Sequence, residues 1–283
     1  MDCCSEQSVS LGEPVEGSAV ADTPRWFMIQ VQDGWAPKTP DAACLQGDVG
    51  DHITDELARI GGARLQLIRR PQACTGVTVI AADTGGKQPR AFSLRLDTLA
   101  DLVDVDIVAL FEGGAGAEPV DEPVVLVCTH GIRDRCCAVE GIPVYNALAE
   151  RTDGHVWQTT HLGGHRFAAT LVVLPEGLQF GRVKPNEVTD LMDGLSRREL
   201  YRLDRFRGRV AASRLAQVAE AHVRAKQDHV SIDAVIPTGD DLIVEGHLLK
   251  VQVSSTPHAQ PRAYSCGDTK LRTPMEYAVS LTD

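Results

Sequence analysis

No stretch of this 283-residue chain approaches the roughly 20 consecutive apolar residues that a membrane-spanning helix requires. The opening residues, Met1-Asp2-Cys3-Cys4-Ser5-Glu6, lack the basic start and apolar run of a signal peptide, so a cytoplasmic location and no membrane partner are expected. Lys and Arg are not gathered into a run, and the net charge is −11. Phosphate binding needs a concentrated basic face, so no nucleic-acid partner is expected. An acidic surface suits a basic redox partner instead. No Gly-x-Gly-x-x-Gly follows a strand and there is no P-loop, which removes a dinucleotide or nucleotide fold. Gly61-Gly62 and the glycines of 113–116 lack the following helix start that phosphate cradling uses. No Cys-x-x-Cys pair is present, and no pair of glycosidase carboxylates can be picked out.

What the chain does have is eight cysteines. In a reducing compartment these are poor candidates for structural disulfides, and metal ligation, redox chemistry or burial is the expected use. Cys3, Cys4, Cys44, Cys74 and Cys266 are scattered, whereas Cys128, Cys136 and Cys137 sit together.

Hydrophobic patterning gives alternating strands and helices, hence an α/β protein. Residues 1–24 read as an irregular lead-in. Strands are expected at 26–31, 64–69, 77–81 and 91–96, with a helix at 49–60 closed by Gly61-Gly62. A helix-to-strand stretch at 99–110 precedes the Gly- and Pro-rich segment 112–119, the best candidate boundary. Beyond it, strands are expected at 124–127, 156–160 and 168–174. Helices are expected at 141–151, 185–195 and 209–226, and a small terminal sheet at 231–236, 241–244 and 248–253. No convincing short repeat is visible.

Two motifs carry chemistry. Cys128-Thr-His-Gly-Ile-Arg-Asp-Arg-Cys136-Cys137 is followed some two dozen residues later by His161-Leu-Gly-Gly-His165. Two thiolates and two imidazoles complete a four-ligand set. Histidines at i and i+4 share a helix face, but two glycines inside a helix cost about 1 kcal/mol each. The segment therefore reads as a strand-to-strand turn whose glycines take positive φ. Zinc is the alternative metal, although cysteines nine positions apart are wider than zinc-finger spacing.

The two motifs resemble those of the sucrase/ferredoxin-like family, which includes fungal actin-patches-distal proteins and actinobacterial members. Cys4-Ser5, residues 12–17, Arg25-Trp26, Gly34-Trp35, residues 67–70, residues 180–183 and Tyr264-Ser265-Cys266 add to the likeness. The resemblance implies an N-terminal α/β domain over 1–118, a thioredoxin-like ferredoxin domain over 119–205 and a C-terminal helix with strands over 206–283. It also implies that Cys128, Cys137, His161 and His165 bind a [2Fe–2S] cluster. Cys136 stands where the family commonly has a basic residue.

Replacing two thiolates by neutral imidazoles makes such a cluster less negative and raises its potential. A potential that falls with pH is expected, with electrons exchanged with donor and acceptor proteins that the sequence does not name. The rival readings are a structural zinc module for protein binding and a thiol redox protein using Cys136 or Cys137. Arg133, Asp134 and Arg135 are expected to shape the cysteine loop or to lie exposed. His130, Cys136 and Trp157 read as packing or supporting groups.

Overall fold

The computed structural model describes all residues except 1, 2, 33, 72–74, 87, 152, 153, 259 and 283; Cys74 thus lies outside the described residues. The fold is mixed α/β. The residues expected to lead in irregularly instead form helix α1 (Cys4–Ser10), whose Cys4, Ser5 and Ser8 are buried.

The β-branched and aromatic runs become strands, and two parallel βαβ crossovers set the architecture. β1 (Arg25–Gln30), α2 (Asp48–Arg59) and β2 (Arg64–Arg69) form the first, and α2 ends at Gly61, whose φ is 73°. β3 (Val77–Asp83) and β4 (Arg90–Leu96) follow as antiparallel neighbours. The expected strand near 99–110 is absent: a 3₁₀ turn (Ala100–Asp104) leads into the single-turn helix α3 (Ile107–Leu110), capped by Asp106. β5 (Glu118–Pro119) then pairs with β4.

The second crossover consists of β6 (Val124–Cys128), α4 (Arg135–Ala149) and β7 (Val156–Thr159). β8 (Leu171–Leu174) and β9 (Leu178–Phe180) run antiparallel, a 3₁₀ turn leads into α5 (Val188–Ser196), and β10 (Phe206–Arg209) pairs with β9. This is the βαβββ-plus-helix unit of a thioredoxin-like domain. α4 begins six residues before the expected 141 because Asp134 caps it, accepting the Cys136 N–H at 2.9 Å. Pro143 therefore lies inside the helix rather than in its first turn.

The ten strands form one sheet in the order β10-β9-β8-β6-β7-β2-β1-β3-β4-β5. That order is palindromic. Each half contributes strand, helix, parallel strand, two antiparallel strands, helix and a last antiparallel strand, so the chain contains a structural repeat that its sequence does not display. The halves meet at β2 and β7, which pair antiparallel through Ile68 with Thr159 and Arg69 with Gln158, and the Thr160 N–H donates to the Leu67 carbonyl at 3.0 Å beside them. These residues close both strands, so the carboxyl ends of the two parallel pairs converge on one seam.

α6 (Arg214–Gln227) starts at its Ser213 cap, the residues from 209 being the end of β10 and a loop. It carries the antiparallel meander β11 (Val235–Thr238), β12 (Asp241–Val244), β13 (His247–Pro257) and β14 (Met275–Thr282). β9, β10 and β14 were not foreseen. The buried Glu220 takes Arg209 at 3.1 Å and Arg224 at 2.9 Å, and Arg224 also donates to the carbonyls of Ile232 and Val235. Those bonds fasten the meander to the sheet.

Candidate metal centre

Cys128 stands at the carboxyl end of β6, the edge at which open α/β sheets bind ligands. Cys137 lies in the first turn of α4, and the helix can come close because of Gly141. A Cβ there would sit 2.1 Å from the Cys128 carbonyl oxygen, so helix and strand pack backbone to backbone. His161 follows β7, the parallel neighbour of β6. Ligand atoms of Cys128, Cys137 and His161 lie within 4.8 Å of one another. Cys137 Sγ is 3.8 Å from His161 Nδ1.

The glycine turn has the expected conformation, with φ of 88° at Gly163 and 67° at Gly164. It returns His165 toward His161, with ring centroids 5.1 Å apart. His165 Nε2 meets the Tyr264 carbonyl and lies 3.6 Å from Asp134 Oδ2, while its Nδ1 is buried without a hydrogen-bond partner. The structure thus gathers three of the four sequence-derived candidates tightly and sets the fourth beside them. His165 offers an unused nitrogen and is oriented by a carboxylate, as metal-bound imidazoles commonly are.

The two cysteines behave as a pair. Hydrogen bonds from Cys137 and His161 draw Cys128 toward thiolate against the cost of burial, whereas that same bond and burial push Cys137 up. His130, buried at 1% exposure, accepts the His161 N–H at 3.1 Å and fixes the start of the turn. Trp35, from the first half of the chain, packs edge-on against His130 at 5.5 Å, and Arg69 lies 4.1 Å above Trp35. The β1–α2 loop therefore roofs the site across the seam.

Sequence reasoning missed the charges beneath the turn. Arg207 is 1% exposed, donates to the carbonyl of Gly163 at 3.0 Å and to Ser18, and is lowered to about 9 by burial and then by Arg166 and Arg214. Arg64 donates to the His161 carbonyl at 2.7 Å and is likewise lowered by burial. Among the described residues neither has a carboxylate partner. A buried cation without a counter-ion, as Arg207 is, is costly unless negative charge resides nearby, whereas Arg64 is half-buried over the Trp26 ring. The Cys128 sulfur, drawn toward thiolate, offsets both.

Asp134 was read as a loop-shaping or exposed charge and is in fact 4% exposed. Burial would raise its pKa. The charge of His165, the N–H groups of Cys266 and Cys136 and the Ser265 hydroxyl outweigh burial and hold it below the usual carboxylate range. The cysteines considered scattered also converge here. Cys3 and Cys136 are joined as a disulfide, contrary to the expectation of none, and Cys4 and Cys266 lie against them. That grouping unites three segments far apart in sequence, which no local spacing could have signalled.

Residues 25–208 match the family described as sucrase/ferredoxin-like. The protein named altered inheritance of mitochondria protein 32, from Meyerozyma guilliermondii, is 32% identical over 103 residues, covering 33% of this chain and 36% of that protein. The match thus spans about a third of the curated relative. Among solved structures, a variant of the thioredoxin-like [2Fe–2S] ferredoxin from Aquifex aeolicus is 21% identical with a TM-score of 0.27, covering 30% of this chain and 97% of the other. The wild-type form gives 23%, 0.24, 26% and 85%.

Proposed function

The chain belongs to the sucrase/ferredoxin-like family, and from that premise we propose that it is an electron-transfer protein holding a [2Fe–2S] cluster on Cys128, Cys137, His161 and His165. The observation that carries this reading is the donor set itself. Two thiols and an imidazole lie within 4.8 Å, and the His165 ring, 5.1 Å from that of His161, keeps a buried Nδ1 without a hydrogen-bond partner. A bound cluster of this kind supplies reversible one-electron chemistry at an iron bearing imidazole ligands.

The residues around the set divide the remaining work. Arg64 and Arg207 favour the more negative, reduced state. Asp134 orients His165, and His130 holds the backbone of His161. Trp35 and the β1–α2 loop keep water from one side. Electrons come from and go to partner proteins, and the acidic surface favours basic ones, in the cytoplasm.

Anaerobic purification followed by visible absorption, iron and sulfide analysis and electron paramagnetic resonance tests the reading. A red-brown protein with about two irons and two sulfides per chain is expected, losing both in Cys128→Ser. A colourless protein that holds zinc through Cys128 and Cys137 and takes up no iron on reconstitution overturns it in favour of a structural zinc module.

A further inference from the structure

We propose that the reduced protein binds a zinc ion at a second site, made by the sulfurs of Cys3, Cys4, Cys136 and Cys266. The four come from α1 and its cap, the first turn of α4, and the loop between β13 and β14; Cys3, Cys4 and Cys136 are buried and the partly buried Cys266 packs against them.

Cys4, Cys136 and Cys266 already lie within 4.8 Å of one another, the spacing of ligands to one small ion, and Cys3 becomes the fourth on release from Cys136. Zinc–sulfur bonds of about 2.3 Å place the sulfurs of a tetrahedral site about 3.8 Å apart. Here Cys136 lies 3.3 Å from Cys266, Cys4 lies 3.5 Å from Cys136, and Cys3 lies 3.9 Å from Cys266. A multi-iron cluster holds its thiolates further apart. Three of the sulfurs have groups that favour thiolate: the Cys4 N–H donates to Cys266 Sγ at 3.4 Å, the Ser5 hydroxyl donates to Cys3 Sγ at 3.4 Å, and the positive end of α4 points at Cys136. Cys4 itself is pushed up by burial and by Asp134, 3.8 Å from its sulfur, so only the charge of a bound cation draws off its proton.

A fixed support stands next to the four sulfurs. Asp134 accepts the Cys266 N–H at 3.0 Å and the Ser265 hydroxyl at 2.8 Å, which pins the β13–β14 loop to the start of α4. Once the Cys3–Cys136 disulfide has been reduced by an added reductant, zinc displaces four thiol protons and no oxidation state changes. The site shares no ligand with the one formed by Cys128, Cys137, His161 and His165. Its role is to fasten α1 and the β13–β14 loop over the His165 side of that centre.

Zinc and iron are measured on the full chain purified with a phosphine reductant, before and after incubation with zinc chloride. About one zinc per chain is expected, dropping to less than about a tenth in Cys266→Ser and in Cys3→Ser with iron and sulfide unchanged. Cys128→Ser should lose iron and keep zinc, so failure of the cluster reading and failure of this one are told apart. Circular dichroism confirms folding, and the two serine variants lie on different segments, so a folding defect in one leaves the other informative. Zinc retained by both folded variants overturns the proposal. So does wild-type protein that takes up no zinc with all its thiols open to alkylation, or one whose Cys3–Cys136 bond resists the reductant.

Discussion

In the proposed centre two histidines stand where an all-cysteine cluster has thiolates, so replacing one of them reads directly on the potential. His165→Cys adds a thiolate and should lower the midpoint by roughly 100–300 mV, toward the all-cysteine range. Protein-film voltammetry checks this, and an unchanged midpoint removes His165 from the ligand set. Because reduction adds negative charge, an imidazole proton is held more tightly in the reduced form. The wild-type midpoint should therefore fall with rising pH by up to about 59 mV per unit, the one-electron, one-proton limit. Arg207→Met removes a buried cation beside the turn and should lower the midpoint by some tens of millivolts, about what a unit charge produces at intermediate dielectric. Asp134 bears on stability. Its carboxyl is depressed in the fold, so its stabilisation is present above the ordinary carboxylate range and lost as pH falls through the lowered value. Asp134→Asn should be less stable near neutrality and show a flatter stability profile below about pH 4, measured by urea unfolding. At this scale the sequence was legible where chemistry is local: the two motifs pointed to Cys128, Cys137 and His161 as neighbours and to a glycine turn of positive φ, and the fold brings those residues together. Arg64, Arg207 and Asp134 did not, because charged side chains read as surface until distant segments cover them. Ser18 and Gly163, for example, both reach Arg207 only through the fold.

Between elements, the contact that matters most to the centre is that of α4 on β6. Gly141→Ala forces a Cβ into the Cys128 carbonyl, and neither backbone can yield without separating Cys128 from Cys137. A loss of about 1–3 kcal/mol in unfolding free energy is expected, with lowered iron content, and thermal melts of the folded variant beside iron analysis test both. Most strands and the body of α2 were evident from apolar alternation. The start of α4 was misplaced because Arg135-Cys136-Cys137 looks like loop chemistry and Pro143 like a helix opening. The Asp134 cap decides otherwise. Residues 99–110 have the apolar content of a strand, but Asp106 caps a helical turn at Ile107 before an extended run can form.

The whole molecule is acidic, and encounters with a basic electron donor or acceptor should be steered electrostatically. Their association rate should fall by roughly tenfold or more between low and physiological ionic strength, read by stopped-flow reduction. The palindromic sheet order is the feature the sequence hid best. Topology is preserved by burial patterns that many residues satisfy, so two halves can share a fold while sharing no motif. The first half has no cysteine or histidine at the end of β1 or in the first residues of α2, Asp48-Val49-Gly50, and uses its β1–α2 loop as a roof instead.

That symmetry has a consequence for assembly. β2 and β7 occupy equivalent places in their halves and pair antiparallel about a local two-fold, so the seam has the isologous geometry of a homodimer contained within one chain. A second half cut free at the segment before β6 would expose β7 as an unpaired edge, and another copy's β7 presents a matching antiparallel partner. Covalent linkage holds the two edges at high effective concentration, which keeps them from pairing between chains.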